Sequence, residues 1–440
     1  MKLPAALGKL FRRSAGIEAG GSGWRWQGHP SVWAPQEAAR AARGPAKARA
    51  TAAALNSAIG ARAVEAWTAS LVGRAWQTQA QHPDRDTARR LAEEFEALIG
   101  CLLPVLVRAI VRDGECFARI VTGPEDFRIL PLPCDQVDPQ KTEDLGNGAK
   151  IVSGIEYDAQ EHVVAFHILP QPPGDPFAAY SNPIRVPAEE VVHAFDRQFP
   201  GQVRGLSFFT PVLLRMADYD AASDAMLKAL QTQALFAGFV SDVSGGAAGF
   251  EGQVEAGALN LALEPGTVRL LPPGSDIKFS QPGSGLSDQV SFCKLQLHEI
   301  AAGLGLEYAR LSGDLSEASY SSTRFGHLDH QRRAEMLQRT IVEGQILRPI
   351  WRRWIAWKAL TGEIPASDAT GPDWQRVRFI APAQEAIDPL KEINADVRAL
   401  EAGLTSRAAL AAKAGRDLAE LDEEIEADRQ RQAGQKDAAA

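Results

Sequence analysis

With 440 residues, 45% of them apolar and 23% charged, the chain has the composition of an ordinary folded protein, long enough for several cores or one elongated body. A formal net charge of −8 argues against a protein that grips nucleic acid by neutralising phosphates, since such binders carry a basic surface. No run approaches the roughly 18–20 apolar residues of a membrane span. The start, MKLPAALGKLFRRSAG, lacks the long apolar stretch of a secretion signal, so the expected place of the chain is the cytoplasm in which it is made.

Residues 1–50 are basic, with Lys2, Lys9, Arg12, Arg13, Arg40, Arg43, Lys47 and Arg49 outnumbering Glu18 and Glu37. Trp24, Trp26 and Trp33 lie among them. The plain expectation is a partly disordered arm; nucleic-acid or partner docking is the other reading. From Ala48 to Ala80 an Ala-rich helical pattern carries Leu55, Ile59, Val64, Trp67 and Leu71. A second helix is expected from Asp86 to about Ile99. The period then changes. VLVRAIVRDGECFARIV sets Asp113-Gly114 between two β-prone runs, which predicts a hairpin. Short strands follow at FRIL, IVSGIEYD, HVVAFHIL and IRVP, giving a mixed α+β region built on antiparallel strands.

Thr210-Pro211 predicts the start of a helix marked by Val212, Met216, Tyr219, Met226 and Leu230. Residues 241–266 turn to Gly, Ala and Ser, and TVRLL and IKF, joined by PPGSD, predict a small hairpin. Another helix begins near Ser287-Asp288, keeps Leu297, Ile300 and Leu304 on one face, and stops at Gly303 or Gly305. After Ser321-Ser322 comes a long Arg-studded helix, roughly 50–60 Å at 1.5 Å per residue. Pro349 should kink or break it near Leu347. Trp374 to Ile380 reads as a strand, Asp388-Pro389 opens a helix ending at Gly403, and two more helices flank Gly415. From about Asp428 the tail reads as disordered.

Chemistry-bearing motifs are absent. There is no G-x-S-x-G, Walker A or HExxH sequence. The four cysteines, Cys101, Cys116, Cys134 and Cys293, lie far apart and read as buried thiols. His327 and His330 share a helix face without a third ligand in view, so no metal site and no cofactor is expected. Asp218-Tyr-Asp220 is no metal pair, since i, i+2 residues on a helix do not share a face.

The segment AGLGLEYARLSGDLSEASYSSTR, residues 302–324, closely resembles the signature of the lambda-type family of phage portal proteins. Four more segments resemble that family in its own order: IVSGIEYDAQEHVVAFHI with IRVPAEEVVHAF, then FPGQVRGLSFFTPVLLRMADYDAASDAMLKA, then LEPGTVRLLPPGSDIKFSQP, then IDPLKEINADVRALEAGLTSR. Together they cover roughly residues 105–415, with residues 76–104 matching poorly. The resemblance implies an α+β portal-type subunit. After a basic arm (1–50) it would have a β-rich wing (51–210) and a two-helix stem (211–239 and 286–306) carrying a small clip hairpin (240–285). A tunnel loop (307–322), a long kinked helix returning to the wing (323–384), a helical crown (385–427) and a tail (428–440) would follow.

The same resemblance implies a structural protein without catalysis: a homo-oligomeric ring, usually a dodecamer, at the portal vertex of a virion head. Its partners would be double-stranded DNA passing without sequence readout, the terminase large subunit, head–tail connector proteins, and capsid and scaffold proteins. It would assemble in the host cytoplasm, with no membrane partner. In the tunnel loop Arg310, Ser312, Asp314, Ser316, Glu317, Ser319, Tyr320, Ser321, Ser322 and Arg324 would lie nearest the DNA, Tyr320 either touching it or anchoring the loop. Asp218, Asp220, Asp224 and Lys228 would face the stem channel. The competing readings are another virion component, a capsid subunit or adaptor, and a hydrolase using Ser321 or Ser322 with His193.

Overall fold

A computed structural model describes residues 34–82, 84–176, 182–235, 286–316, 320–365, 376–383 and 388–438, together with short strands at 239–241, 254–255, 258–259 and 269–271. The first helix, α1 (Pro35–Asn56), begins on a proline, whose missing N–H costs nothing in a first turn. Sixteen residues read as part of a basic arm are thus helical (35–50), and Arg43, Ala46 and Ala50 are buried along α1. Trp24, Trp26 and Trp33 lie outside the described residues. The single helix expected over 48–80 is broken: Ser57 is extended, caps α2 (Ala58–Val72) and turns the chain. Gly60 sits so close to α1 that a Cβ would lie 2.2 Å from the Ala53 carbonyl oxygen. Strand β1 (Gln77–Ala80) follows.

Asp84 caps α3 (Arg85–Gly100) by accepting from the Thr87 amide at 3.2 Å. The hairpin expected around Gly114 is instead a helix followed by a strand. Leu103, Leu106, Val107, Ile110 and Val111 recur at helical spacing and make the buried face of α4 (Leu102–Asp113). Tertiary burial overrides their β-branching. Gly114, at φ +95°, ends the helix in the left-handed conformation.

Strands β2 (Glu115–Thr122) and β3 (Phe127–Leu132) open the sheet region. A meander of β4 (Glu143–Gly146), β5 (Ala149–Val152), β6 (Ile155–Tyr157), β7 (Val163–Ile168) and β8 (Ile184–Pro187) follows, then β9 (Val191–Phe195). The order β3-β2-β9 makes one antiparallel sheet and β4 to β8 a second, as the alternating runs led one to expect. Phe117, Ile155, Phe166, Val186 and Val191 pack between them as a small core.

Helix α5 (Leu213–Leu235) starts after a turn rather than on a Thr210 cap; the Thr210 hydroxyl is buried with no hydrogen-bond partner among the described residues. Strands β10 (Phe239–Ser241), β11 (Val254–Glu255), β12 (Ala258–Leu259) and β13 (Arg269–Leu271) come next. The expected hairpin of TVRLL with IKF is not what β13 makes: it pairs in parallel with β10, and residues 277–279 lie outside the described residues.

Then come α6 (Leu286–Leu304), the short α7 (Tyr308–Ser312) and α8 (Tyr320–Leu337). The helical path widens to a π-helix at Gln338–Leu347 and returns to α in α9 (Arg348–Leu360). The break expected near Leu347 does not occur: the chain stays helical through Pro349, and what changes at Leu347 is the spacing, from π to α. Pro349 withholds a donor from the preceding turn, and the π spacing leads up to it. Within the π stretch the Gln345 side-chain amide donates to the carbonyls of Thr340 and Phe195, tying this helix to β9.

Strand β14 (Val377–Ile380) pairs antiparallel with β1, joining two segments far apart in sequence. Asp388 caps α10 (Pro389–Glu401), followed by α11 (Arg407–Lys413) and α12 (Leu418–Ala438). Residues 428–438, expected to be disordered, continue α12. The main core gathers Trp67, Phe95, Ile110, Phe209, Ile300, Leu337, Trp351 and Phe379, so α2 to α4, the roots of α5 and α6, and α8 to α9 share one interior. Among the described residues no helix is long and apolar enough to cross a membrane.

Candidate functional site: a helix pair and the loop that follows it

Helices α5 and α6 meet root to root. Gly303 lacks the Cβ that would lie 2.3 Å from Val212, so the start of one helix seats against the end of the other. Val212, Met216, Ile300, Ala301 and Leu304 are buried there, while Leu214 faces outward at the root and Leu227, Val290, Phe292 and Leu295 are exposed farther along. The pair is held at one end by the core and presents apolar side chains outward along the rest.

Asp218, Asp220, Asp224 and Lys228 are all exposed on α5. The helix divides them. Asp220, Asp224 and Lys228 recur every four residues and form one stripe. Asp218 instead lies 3.9 Å from Arg215, whose other nitrogen reaches Glu299 of α6 at 3.3 Å.

After α6, Gly305 and Gly313 both take positive φ, and α7 is held between them. The loop closes on Asp314. This carboxylate accepts from the Ser316 amide at 2.9 Å and the Tyr308 hydroxyl at 3.1 Å, and Lys294 lies 3.5 Å away. The Ser316 hydrogen bonds, above all, hold its pKa far below the usual carboxylate range. Ser312 donates to the Tyr308 carbonyl at 2.8 Å and accepts from the Asp314 amide at 3.1 Å. Tyr308 in turn stacks on His298, ring centroids 3.9 Å apart.

Arg310 is fastened to the body of the protein. It donates to Ser70 Oγ at 3.0 Å and lies 3.4 Å from His327 Nδ1, and its own carbonyl accepts from Arg62 at 3.0 Å. His330 is buried between Trp67 and the Ser70 hydroxyl, 2.8 Å from its Nε2, with the Gly305 carbonyl 3.3 Å from Nδ1. A neutral ring protonated on Nδ1 satisfies both neighbours. Burial, and then the charge of Arg310, push its pKa down to about 4.

Of the loop residues singled out in the sequence, Ser312, Asp314 and Ser316 therefore meet with Tyr308 in one hydrogen-bonded turn, while Arg310 is tied to Ser70 and His327 outside it. Arg324 stands exposed at the beginning of α8, where Tyr320, Ser321 and Ser322 form the first turn. Glu317 and Ser319 lie outside the described residues. His193 is no free base beside a serine: its Nε2 lies 3.0 Å from Glu115, and its ring stacks on Phe117 at 4.2 Å. Among the described residues no three His, Cys, Asp or Glu side chains gather as a metal site.

The sequence reading missed the buried ionic centre around Glu115, which is fully shielded from solvent. Arg43 of α1 donates to it at 2.7 Å and Arg204 at 2.9 Å, and the Gly205 amide at 3.1 Å. Burial alone would push the Glu115 pKa up, but Arg204, the His193 hydrogen bond and Arg43 outweigh it and hold it well below the usual range. Arg204 also donates to the carbonyls of Ser153 at 2.7 Å and Cys134 at 2.8 Å. Arg204 thus ties the two sheet regions to the approach to α5, and Glu115 adds α1 through Arg43. The signal available was an acid at the start of the apolar run ECFARIV, which demands a buried cation without naming it.

The site is thus a core-anchored helix pair with exposed apolar side chains, followed by a hydrogen-bonded loop. Residues 22–338 match the model of the lambda family of phage portal proteins, and the chain belongs to that family. The probable portal protein of Halomonas phage phiHAP-1 is 24% identical over 331 residues, covering 73% of this chain and 64% of that protein. Portal protein B of Escherichia phage lambda is 23% identical over 345 residues, covering 70% and 64%. The portal protein of Escherichia phage N15 is 23% identical over 355 residues, with 70% and 64% covered. The chain thus spans 64% of the length of the curated relatives it matches. Among solved structures, it aligns with the neck of a native gene transfer agent particle computed with C12 symmetry, at 16% identity and a TM-score of 0.42, over 88% of this chain and 95% of that one. The neck of the empty particle, computed with C6 symmetry, gives 16% identity and 0.43 over 88% and 96%.

Proposed function

We propose that this chain is one subunit of a closed ring, of twelve copies as the family resemblance implies, at one vertex of a phage or phage-like head. Double-stranded DNA enters and leaves through its centre. The observation that carries this reading is the family match over residues 22–338. In this arrangement α5 and α6 are the stem (211–239 and 286–306), residues 240–285 the clip, 307–322 the tunnel loop, 51–210 and 323–384 the wing, and 385–427 the crown. The clip docks the terminase large subunit during packaging and the connector proteins afterwards. Capsid and scaffold proteins surround the ring, which assembles in the host cytoplasm and ends in the virion.

The chemistry asked of such a channel is restraint. A surface that neutralised many phosphates would hold DNA and arrest its sliding. The exposed Asp220 and Asp224 stripe supports a wall that repels phosphate, and Arg310, the most basic group of the loop, is spent on Ser70 and His327. The function needs no cofactor and no catalytic group. Negative-stain microscopy of the purified protein tests the proposal: rings with a central hole are expected, and a monomer at every concentration overturns it.

A further inference from the structure

The run WRWQGHPSVW, residues 24–33, has no part in the ring described above, and it lies outside the described residues. Its tryptophans are costly to leave in water, since each offers on the order of 150–250 Å² of surface for burial. Trp24 and Trp26, two residues apart, would fall on one side of an extended chain. Trp33 immediately precedes Ala34, where the described structure begins. Arg25 is the one fixed charge of the run, so the basic character of residues 1–50 is not concentrated here.

The chain enters the described structure at the rim of a groove. Ala34 has φ −124° and ψ 89°, outside the helical region, and Pro35 opens α1. In the first turn, Gln36 accepts from the Val203 amide at 3.3 Å. The same residue lines an open groove of about 680 Å³ between α1, strands β5 to β7 and the turn at 197–203. That volume is in the range of pockets that take in ligand-sized groups.

The lining of the groove suits an indole. Val152, Tyr157, Val163, Phe199, Pro200 and Val203 supply apolar and aromatic surface. Its charged members are three: Lys150 and Glu161 pair at 2.5 Å, and Arg197 lies over the Phe195 ring at 5.3 Å. A tryptophan takes apolar contact on its faces and tolerates, or gains from, a cation above the ring. Chain connectivity then names the occupant. Three residues of chain separate Gln36 from Trp33 and ten separate it from Trp26, so those α-carbons lie within about 11 and 36 Å of it however the chain runs. The other cavity that Gln36 borders is lined by Glu37, Arg40, Asp135 and Arg204, charged groups that an indole would strip of water without replacing it.

We infer that residues 24–33 of the same chain lie in this groove, their tryptophans packed against Tyr157, Val163 and Phe199. The inference goes beyond the ring proposed above and does not depend on it. The test uses the full-length protein, its Trp24→Ala/Trp26→Ala/Trp33→Ala variant and, from the groove side, Val163→Asp. Val163 stands 37% exposed and the tryptophans precede α1, so both variants should keep the fold, which thermal unfolding checks. Hydrogen exchange reads the amides of residues 197–203, and acrylamide quenching reads the tryptophan emission. The triple variant should exchange at least tenfold faster than the parent over 197–203. Val163→Asp should make the emission more readily quenched, because the displaced indoles meet solvent. Parent-like exchange in the triple variant overturns the inference, and so does parent-like quenching in Val163→Asp. In the parent, protection of 197–203 should persist on dilution to single chains. Protection lost on dilution would mean that another copy's segment fills the groove, and overturns the assignment to the same chain.

Discussion

His330 shows how one buried side chain sets a pH limit. Its folded pKa lies near 4, below the ordinary 6.5, because burial and Arg310 disfavour the imidazolium. Below pH 6.5 the unfolded chain takes up a proton that the folded chain refuses until about pH 4, so stability falls across that window as the solution is acidified. The loss from this residue is at most about 3 kcal/mol. His193, also depressed by burial, acts in the same direction. Glu115 works in a different window. Its carboxylate is stabilised above the ordinary glutamate value of 4.5, and that stability disappears only as pH falls lower. Of these three groups, the histidines therefore account for the loss between pH 6.5 and 5. Urea unfolding of His330→Asn should show a clearly shallower loss of stability over that interval than the parent, from a lower starting stability at pH 7. An unchanged slope would remove His330 from the account.

Between elements, Gly114 decides the geometry. It ends α4 at positive φ, and a Cβ there would lie 2.3 Å from the Leu206 carbonyl carbon and 2.4 Å from the Ser207 nitrogen. Both are backbone atoms that cannot swing aside. Gly114→Ala should therefore cost about 2–4 kcal/mol, combining left-handed strain with displacement of the 205–207 segment. Gly146, also at positive φ but with open space around it, is the control, expected to lose only about 1 kcal/mol on substitution by alanine. Thermal unfolding of the two variants checks the contrast, and equal losses would mean that the contact is not rigid.

The same corner shows what the sequence could reveal. Alternation made the strands from Ala149 to Ile168 readable, and Asp388-Pro389 with Gly403 marked both ends of α10. Leu102–Asp113 misled because its β-branched residues also repeat at helical spacing, and only the core against which they pack breaks the tie. The loop from Arg310 to Ser316 was legible as a segment, but not its internal bonds, since Ser70 lies 240 residues from Arg310. Glu115 called for a cation, yet Arg43 and Arg204 lie 72 and 89 residues away in opposite directions, beyond any local pattern.

Across the whole molecule the charges fall into two roles. Inward ones act as ties: Arg204 and Arg43 on Glu115, and Lys358 on Glu94 and Glu363. The arginine-studded helix running from α8 to α9 also carries ties nearer the surface, with Arg348 on Glu343, Arg333 near Asp196 and Arg353 near Glu189. Asp220 and Asp224 are exposed and, among the described residues, show no comparable lock; in the proposed arrangement they line the channel. Their replacement should therefore separate assembly from transport. Asp220→Lys/Asp224→Lys alters two exposed positions, so folding should change by no more than about 1 kcal/mol. Ring formation by microscopy should match the parent. The DNA recovered from assembled heads should fall roughly tenfold, because lysines facing the channel would hold the phosphates that must slide past. Rings that form normally while heads fill to the parental mass would show that this stripe faces away from the DNA, and would turn attention to the opposite side of α5.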